Sequence, residues 1–136
     1  MHDKNFTITN TLKGRPPRLP FKAVKENILG EEYALSLVFV SDKKSRALNE
    51  EHRGKDEPAN ILSFPLSETE GEVFIAPGKA GQDAPIFGMD VRCFTLYLFI
   101  HGLLHLKEFS HGSRMEKEER KILLHFSSCP MPLQQE

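Results

Sequence analysis

A chain of 136 residues suffices for one domain with a buried core and is too short to promise two. Apolar residues make up 39% and charged residues 27%, near the average for globular chains, and a net charge of -1 excludes any global attraction to nucleic acid or membrane. Contact with an anionic polymer must therefore be local.

The N-terminal "MHDKNFTITN" lacks the charged start and apolar run of a signal peptide, and alternation of Phe6 and Ile8 with polar neighbours predicts a short, half-buried strand. From Leu12 to Lys25 the chain carries Lys13, Arg15, Arg18, Lys22 and Lys25 with no acid, which predicts a basic edge able to touch phosphates. The prolines in this stretch form a turn, and a helix is expected from about Pro20 to a stop at Gly30. "YALSLVFV" reads as a central strand over Tyr33 to Val40, and Ser41 or Asp42 caps a helix running to about His52. After a polar loop, a strand from Ile61 to Phe64 is expected to end at Pro65 and to pair antiparallel with "EVFIA" across a short turn. "PGKAGQDAPIFG" is poor in helix formers and reads as a loop.

A long helix is expected from about Asp90 to Lys107, and a last one from about Arg114 to Phe126 opened by Ser113. The apolar run Cys93 to Leu106 is too short for a bilayer and holds two histidines, so it reads as a core helix and no membrane is expected. Cys93 and Cys129 are too few for a disulfide scaffold and stand in no ligand pattern, so separate reduced thiols in a cytoplasmic protein are the expectation. Together these elements predict an α+β domain, a single unit over residues 1–127 with a frayed tail at 128–136.

The segment "IHGLLHLKEFSHG" concentrates three of the six histidines. Spacing by four puts His101 and His105 on one helical face, where they are either core residues with satisfied nitrogens or two ligands of one metal. His111 can join them only if the chain turns back after about Lys107. Three imidazoles would leave one tetrahedral position open, the arrangement of a catalytic zinc.

"HGLLHLKEFSH" closely resembles the HGxLHLxGYDH signature of the YbeY family of metal-dependent endoribonucleases, and "LNEEHRGKDEPANILSFP" resembles that family's LNxxYRxKDxPTDVLSFP block. "GEVFIA" is similar to its GDIxI strand. The resemblance spans roughly Ala34 to Glu118. It implies a zincin-like α+β fold, a small mixed four-stranded sheet with the metal-bearing helix packed against it. It implies one zinc ion per chain held by His101, His105 and His111, with Arg53 acting on the phosphate. Single-stranded RNA, rRNA above all, and the small ribosomal subunit or its assembly proteins are the implied partners, in rRNA maturation and quality control. A non-catalytic assembly or RNA-binding factor is the alternative, and bare of the resemblance Arg53 would pair with Asp56 or Glu57. A metalloprotease is disfavoured because Gly102 occupies the slot of the HExxH glutamate.

The sequence departs from the family pattern where Glu108, Phe109 and Ser110 replace glycine, tyrosine and aspartate. Either Glu108 holds a left-handed backbone at a cost of about 1 kcal/mol, or the turn to His111 is made differently. The poor helix formers after Ile75 further imply that one wall of the cleft is shortened.

Overall fold

The computed structural model describes residues 2–108 and 112–133, the side chains of His2 and Asp3 excepted. Four strands form a mixed sheet: β2 (Phe6–Asn10), β3 (Ala34–Phe39), β4 (Ile61–Ser67) and β5 (Glu70–Ile75), with a two-residue β1 (His2–Asp3) extending it. The order is β1-β2-β3-β5-β4; β2, β3 and β5 run parallel, and β4 and β1 are antiparallel to their neighbours. The α+β expectation holds, and so does the antiparallel β4–β5 pairing, with Ile61 opposite Ile75 and Phe64 opposite Glu72.

The parallel pairs need long crossovers. Helix α1 (Phe21–Leu29) joins β2 to β3 and stops at Gly30, whose φ of 89° suits glycine. Helix α2 (Asp42–Arg53) leaves β3 with Ser41 as its cap, the side chain accepting from the Lys44 amide at 3.1 Å, and ends at left-handed Gly54. Leu35, Leu37 and Phe39 alternate with less buried residues along β3, as Val73 and Ile75 do along β5, so one sheet face is apolar. Helix α4 (Val91–Leu106) covers that face, capped by the Asp90 carboxylate on the Cys93 amide at 2.8 Å. It is buried nearly all round, through Phe94, Leu96, Phe99, Ile100, Leu103 and Leu104, because α1 and α5 (Ser113–Phe126) close over it. Among the described residues no single helix is long and apolar enough to cross a membrane.

Four expectations are corrected. Strand β4 continues through Pro65 to Ser67, since on an edge strand the missing proline N–H deprives no partner and a register shift between Pro65 and Ser67 absorbs the ring. The stretch after β5 is helical: α3 (Pro77–Asp83) is followed by a 3₁₀ turn (Ala84–Phe87). Tertiary contacts override its weak propensity. Pro77 sits at the first turn, where it lacks no bond, the Asp42 carboxylate accepts from the Lys79 amide at 3.0 Å, and Lys79 pairs with Asp83 at 2.9 Å. Lys25 leaves the basic edge, for it is buried and donates to the Glu31 carbonyl at 3.1 Å.

Fourth, Cys93 and Cys129 are not separate thiols but a disulfide, with Cα atoms 5.6 Å apart. The segment 127–133 folds back along the start of α4, where the Leu133 amide donates to the Phe87 carbonyl at 2.9 Å and Met131 packs on the core. This part of the tail is therefore pinned rather than frayed. A cross-link closing a loop of 36 residues stabilises by about 2–4 kcal/mol, chiefly by restricting the unfolded chain. Cys129→Ser should lower the oxidised protein's stability by that amount in denaturant unfolding; equal midpoints for variant and wild type would show that the bond does not form.

Candidate active site

The cleft beside α4 is built by four elements. The last residue of α2 contributes Arg53, and Gly54 turns the chain back along the helix. That return is fastened twice: the Asn49 side-chain Nδ2 donates to the Glu57 carbonyl at 2.8 Å, while the Ser45 hydroxyl both donates to the Ala59 carbonyl and accepts from the Ala59 backbone amide. Pro58 to Phe64, leading into and along β4, form one wall, and Lys79 and Asp83 of α3 another. The expected shortening of that wall does not occur. Asn60 ties the two walls, donating to the second Asp83 oxygen at 2.9 Å. The floor is His101, Gly102 and His105 on α4, and the cleft holds about 550 Å³.

Gly102 is required by close approach. A Cβ there would stand 2.7 Å from both the Ile61 Cδ1 and Ser63 Oγ atoms, so its absence lets β4 lie directly on the histidine-bearing face.

The two histidines face one another, with Nε2 atoms 3.1 Å apart and rings nearly perpendicular. Nδ1 of His101 is 2.6 Å from a Glu119 carboxylate oxygen. Glu119 is only 3% exposed. An ionised carboxylate can only accept, so His101 donates from Nδ1 and turns Nε2 to the cleft, a nitrogen that carries a lone pair in the neutral ring. Tyr97, one turn before His101, has its phenol pushed upward by burial and then by the charge of and hydrogen bond to Glu119, which keeps it a neutral donor.

A metal fits this donor set. Two imidazole nitrogens each about 2.0–2.1 Å from a tetrahedral ion stand about 3.3 Å apart, close to the spacing found, and a carboxylate behind one ligand is the usual support for such a ring. Among the described residues no group of three His, Cys, Asp or Glu side chains converges to hold an ion. His111, the expected third ligand, lies outside the described residues, as do Phe109 and Ser110.

Arg53 lines the cleft, and among the described residues it forms no ion pair. Asp56 is taken instead by Arg46 at 2.7 Å, whose guanidinium holds the Asp56 carboxyl below its ordinary range. Phe64 lies on the cleft wall between His52 and Phe74, at ring distances of 4.6 and 5.9 Å. Glu119 is the residue that sequence reasoning missed. Its signal was present: an acid inside the apolar stripe Met115, Glu119, Ile122, Leu123 of α5.

The family model for endoribonuclease YbeY matches residues 8–127. This chain belongs to the YbeY family. An endoribonuclease YbeY from Pelotomaculum thermopropionicum is 34% identical over 127 residues, covering 85% of this chain and 82% of that one. Another, from Neisseria meningitidis serogroup C, is 30% identical and covers 97% and 88% of the two chains. The solution structure of TM1509 from Thermotoga maritima superposes with a TM-score of 0.61 at 25% identity, covering 87% of this chain and 86% of that one. The YbeY fold is thus present here.

The turn after α4 is made by Glu108 in the left-handed region, at φ 69°. Its amide donates to the His105 carbonyl at 2.9 Å, so the backbone adopts the conformation a glycine would take despite its Cβ. Glu108→Gly should raise unfolding stability by about 1 kcal/mol in a denaturant titration; a loss of stability would mean that the glutamate side chain makes a contact worth more than the strain.

Proposed function

We propose that this protein is a zinc-dependent endoribonuclease of zincin-like architecture that cuts single-stranded RNA. His101, His105 and His111 hold one zinc ion, and Arg53 binds the phosphate. Its place of work is rRNA of the small ribosomal subunit, in maturation and quality control. The observation that carries this reading is the pair of histidine nitrogens 3.1 Å apart, one of them oriented by a buried carboxylate, at the floor of a cleft lined by a guanidinium. Endoribonuclease names among relatives that match most of this chain support the RNA substrate.

When bound, such an ion acidifies water to near neutral pH and polarises a phosphoryl oxygen. The rest is the work of the chain's own side chains. Glu119 fixes the His101 ring in the tautomer that leaves Nε2 able to act as a ligand. Arg53, with its fork unengaged by any carboxylate among the described residues, grips two phosphate oxygens and offsets negative charge as it grows in the transition state. Lys79 adds a second positive charge at the far wall but stays tied to Asp83, so it contributes field rather than a dedicated grip. A narrow cleft between β4 and α3 admits an unpaired strand more readily than an A-form duplex.

The test is cleavage of a labelled single-stranded RNA by the zinc-loaded protein. Arg53 is exposed, so Arg53→Ala should fold normally and cleave about 10²- to 10³-fold more slowly. His105→Ala should abolish cleavage while retaining RNA binding. Undiminished cleavage by His105→Ala would end the nuclease reading of this site, and RNA binding without cleavage by the wild type would make the protein a binding factor.

A further inference from the structure

Strand β4 ends the sheet, and its residues 61–64 line the cleft. One row of its backbone groups therefore has no strand to pair with. The register identifies that row. The Ala76 amide donates to the Asn60 carbonyl at 3.0 Å, whereas the Ile75 carbonyl is turned the other way, to the Val40 amide on the β3 side. Bonded pairs alternate along an antiparallel ladder, so Leu62 and Phe64, opposite Phe74 and Glu72, bond to β5. Ile61, Ser63 and Pro65, opposite Ile75, Val73 and Gly71, turn their backbone groups to the open edge. Pro65 has no N–H, which leaves Ile61 and Ser63 as the donors of this row.

The side chain of Ser63 is unpaired as well. Its hydroxyl oxygen lies against Gly102, the neighbour of His101 on the cleft floor, and makes no hydrogen bond to a described residue. Unlike the sealed hydroxyl of Tyr33, it opens on the cleft. Ser63 thus brings two vacant donors, one from the backbone and one from the side chain, to a hollow that also holds the Arg53 guanidinium.

The charges lining this hollow favour an anion there. Asp83 is a carboxylate in the cleft, but one of its oxygens accepts from Lys79 and the other from Asn60. Lys79 and Asp83 cancel one another, and Arg53 meets no carboxylate among the described residues, so its charge stays uncompensated.

We infer that Ser63 is a phosphate-binding residue: its hydroxyl and its backbone N–H each donate to one non-bridging oxygen of the phosphate that Arg53 binds. The inference rests on the RNA substrate proposed above and adds a second contact to its phosphate. Arg53 supplies charge, and Ser63 supplies two directional, uncharged donors that hold the phosphate over the histidine floor. The Ser63 carbonyl faces the same edge and is left for water or a ribose hydroxyl. Close packing of β4 on Gly102 is what seats the hydroxyl there.

Fluorescence anisotropy of short single-stranded RNAs reads this contact in chelator, where metal-dependent cleavage is off. Each RNA carries one phosphorothioate, as a separated diastereomer, at a successive linkage, because sulfur accepts hydrogen bonds poorly. Sulfur at one linkage should weaken wild-type binding about threefold or more. Ser63→Ala should bind the all-phosphate RNA about three- to tenfold more weakly and be indifferent to one of the two diastereomers at that linkage. It should melt no lower than wild type, because the hydroxyl it lacks has no partner in the fold, and keep the wild-type salt dependence, because it lacks no charge. Unchanged binding by Ser63→Ala, or the same response to every diastereomer in variant and wild type, overturns the assignment and leaves the nuclease proposal standing. A lower melting temperature for Ser63→Ala does so too, since the hydroxyl would then serve the fold. Failure of the wild type to bind any of the RNAs overturns both.

Discussion

The hydrogen bond between His101 Nδ1 and Glu119, 2.6 Å long and almost sealed from water, is the constraint around which the active side of this molecule is arranged. A carboxylate so buried is tolerable only with a strong donor, and the imidazole is that donor. The bond locks α5 to α4 at one height and turns the remaining lone pair of His101 toward His105. A nitrogen pair at 3.1 Å is stable either with a proton between the atoms or with a cation accepting from both. The helix carrying them is buried on nearly every other side, so neither ring can be relieved by rotating the helix.

Around that bond the fold sorts its charges by position. Arg53 sits at the C-terminal end of a helix, where a cation is favoured, and the return loop beneath it is held by Ser45 and Asn49 rather than by ion pairs. Asp56, the acid most able to quench it, is occupied by Arg46. The guanidinium thus stays available to the cleft because two neighbouring charges satisfy each other. On the opposite wall, Asp83 accepts from both Lys79 and Asn60, which stiffens α3 against β4 despite two glycines in the helix. The turn after α4 shows a converse economy, a non-glycine residue held left-handed three residues past the second histidine.

Much of this was legible in the sequence. Alternation in β3 and β5, the Ser41 cap, the Gly30 stop and the apolar density of α4 are local signals, and local signals place elements well. The pairing of His101 with His105 follows from the pitch of a helix alone. What escaped depends on distant partners. The α3 helix draws on Asp42 and buried alanines, and the disulfide on a tail that returns to the first turn of α4. The extension of β4 through Pro65 depends on that strand's being an edge, which only the sheet order reveals. Glu119 lay in plain view as an acid on an apolar stripe, but nothing local says that the stripe faces a histidine eighteen residues earlier.

The central claim is that the two facing nitrogens share a metal ion and not a proton. Elemental mass spectrometry of the purified protein after zinc loading and dialysis, beside Glu119→Gln and His101→Ala, tests it most directly. The account predicts about one zinc per chain in the wild type, none retained by His101→Ala, and affinity lowered about 10- to 100-fold in Glu119→Gln by competition with a chelator. A wild type that retains no zinc would contradict it, and the short nitrogen contact would then be a hydrogen bond within a core.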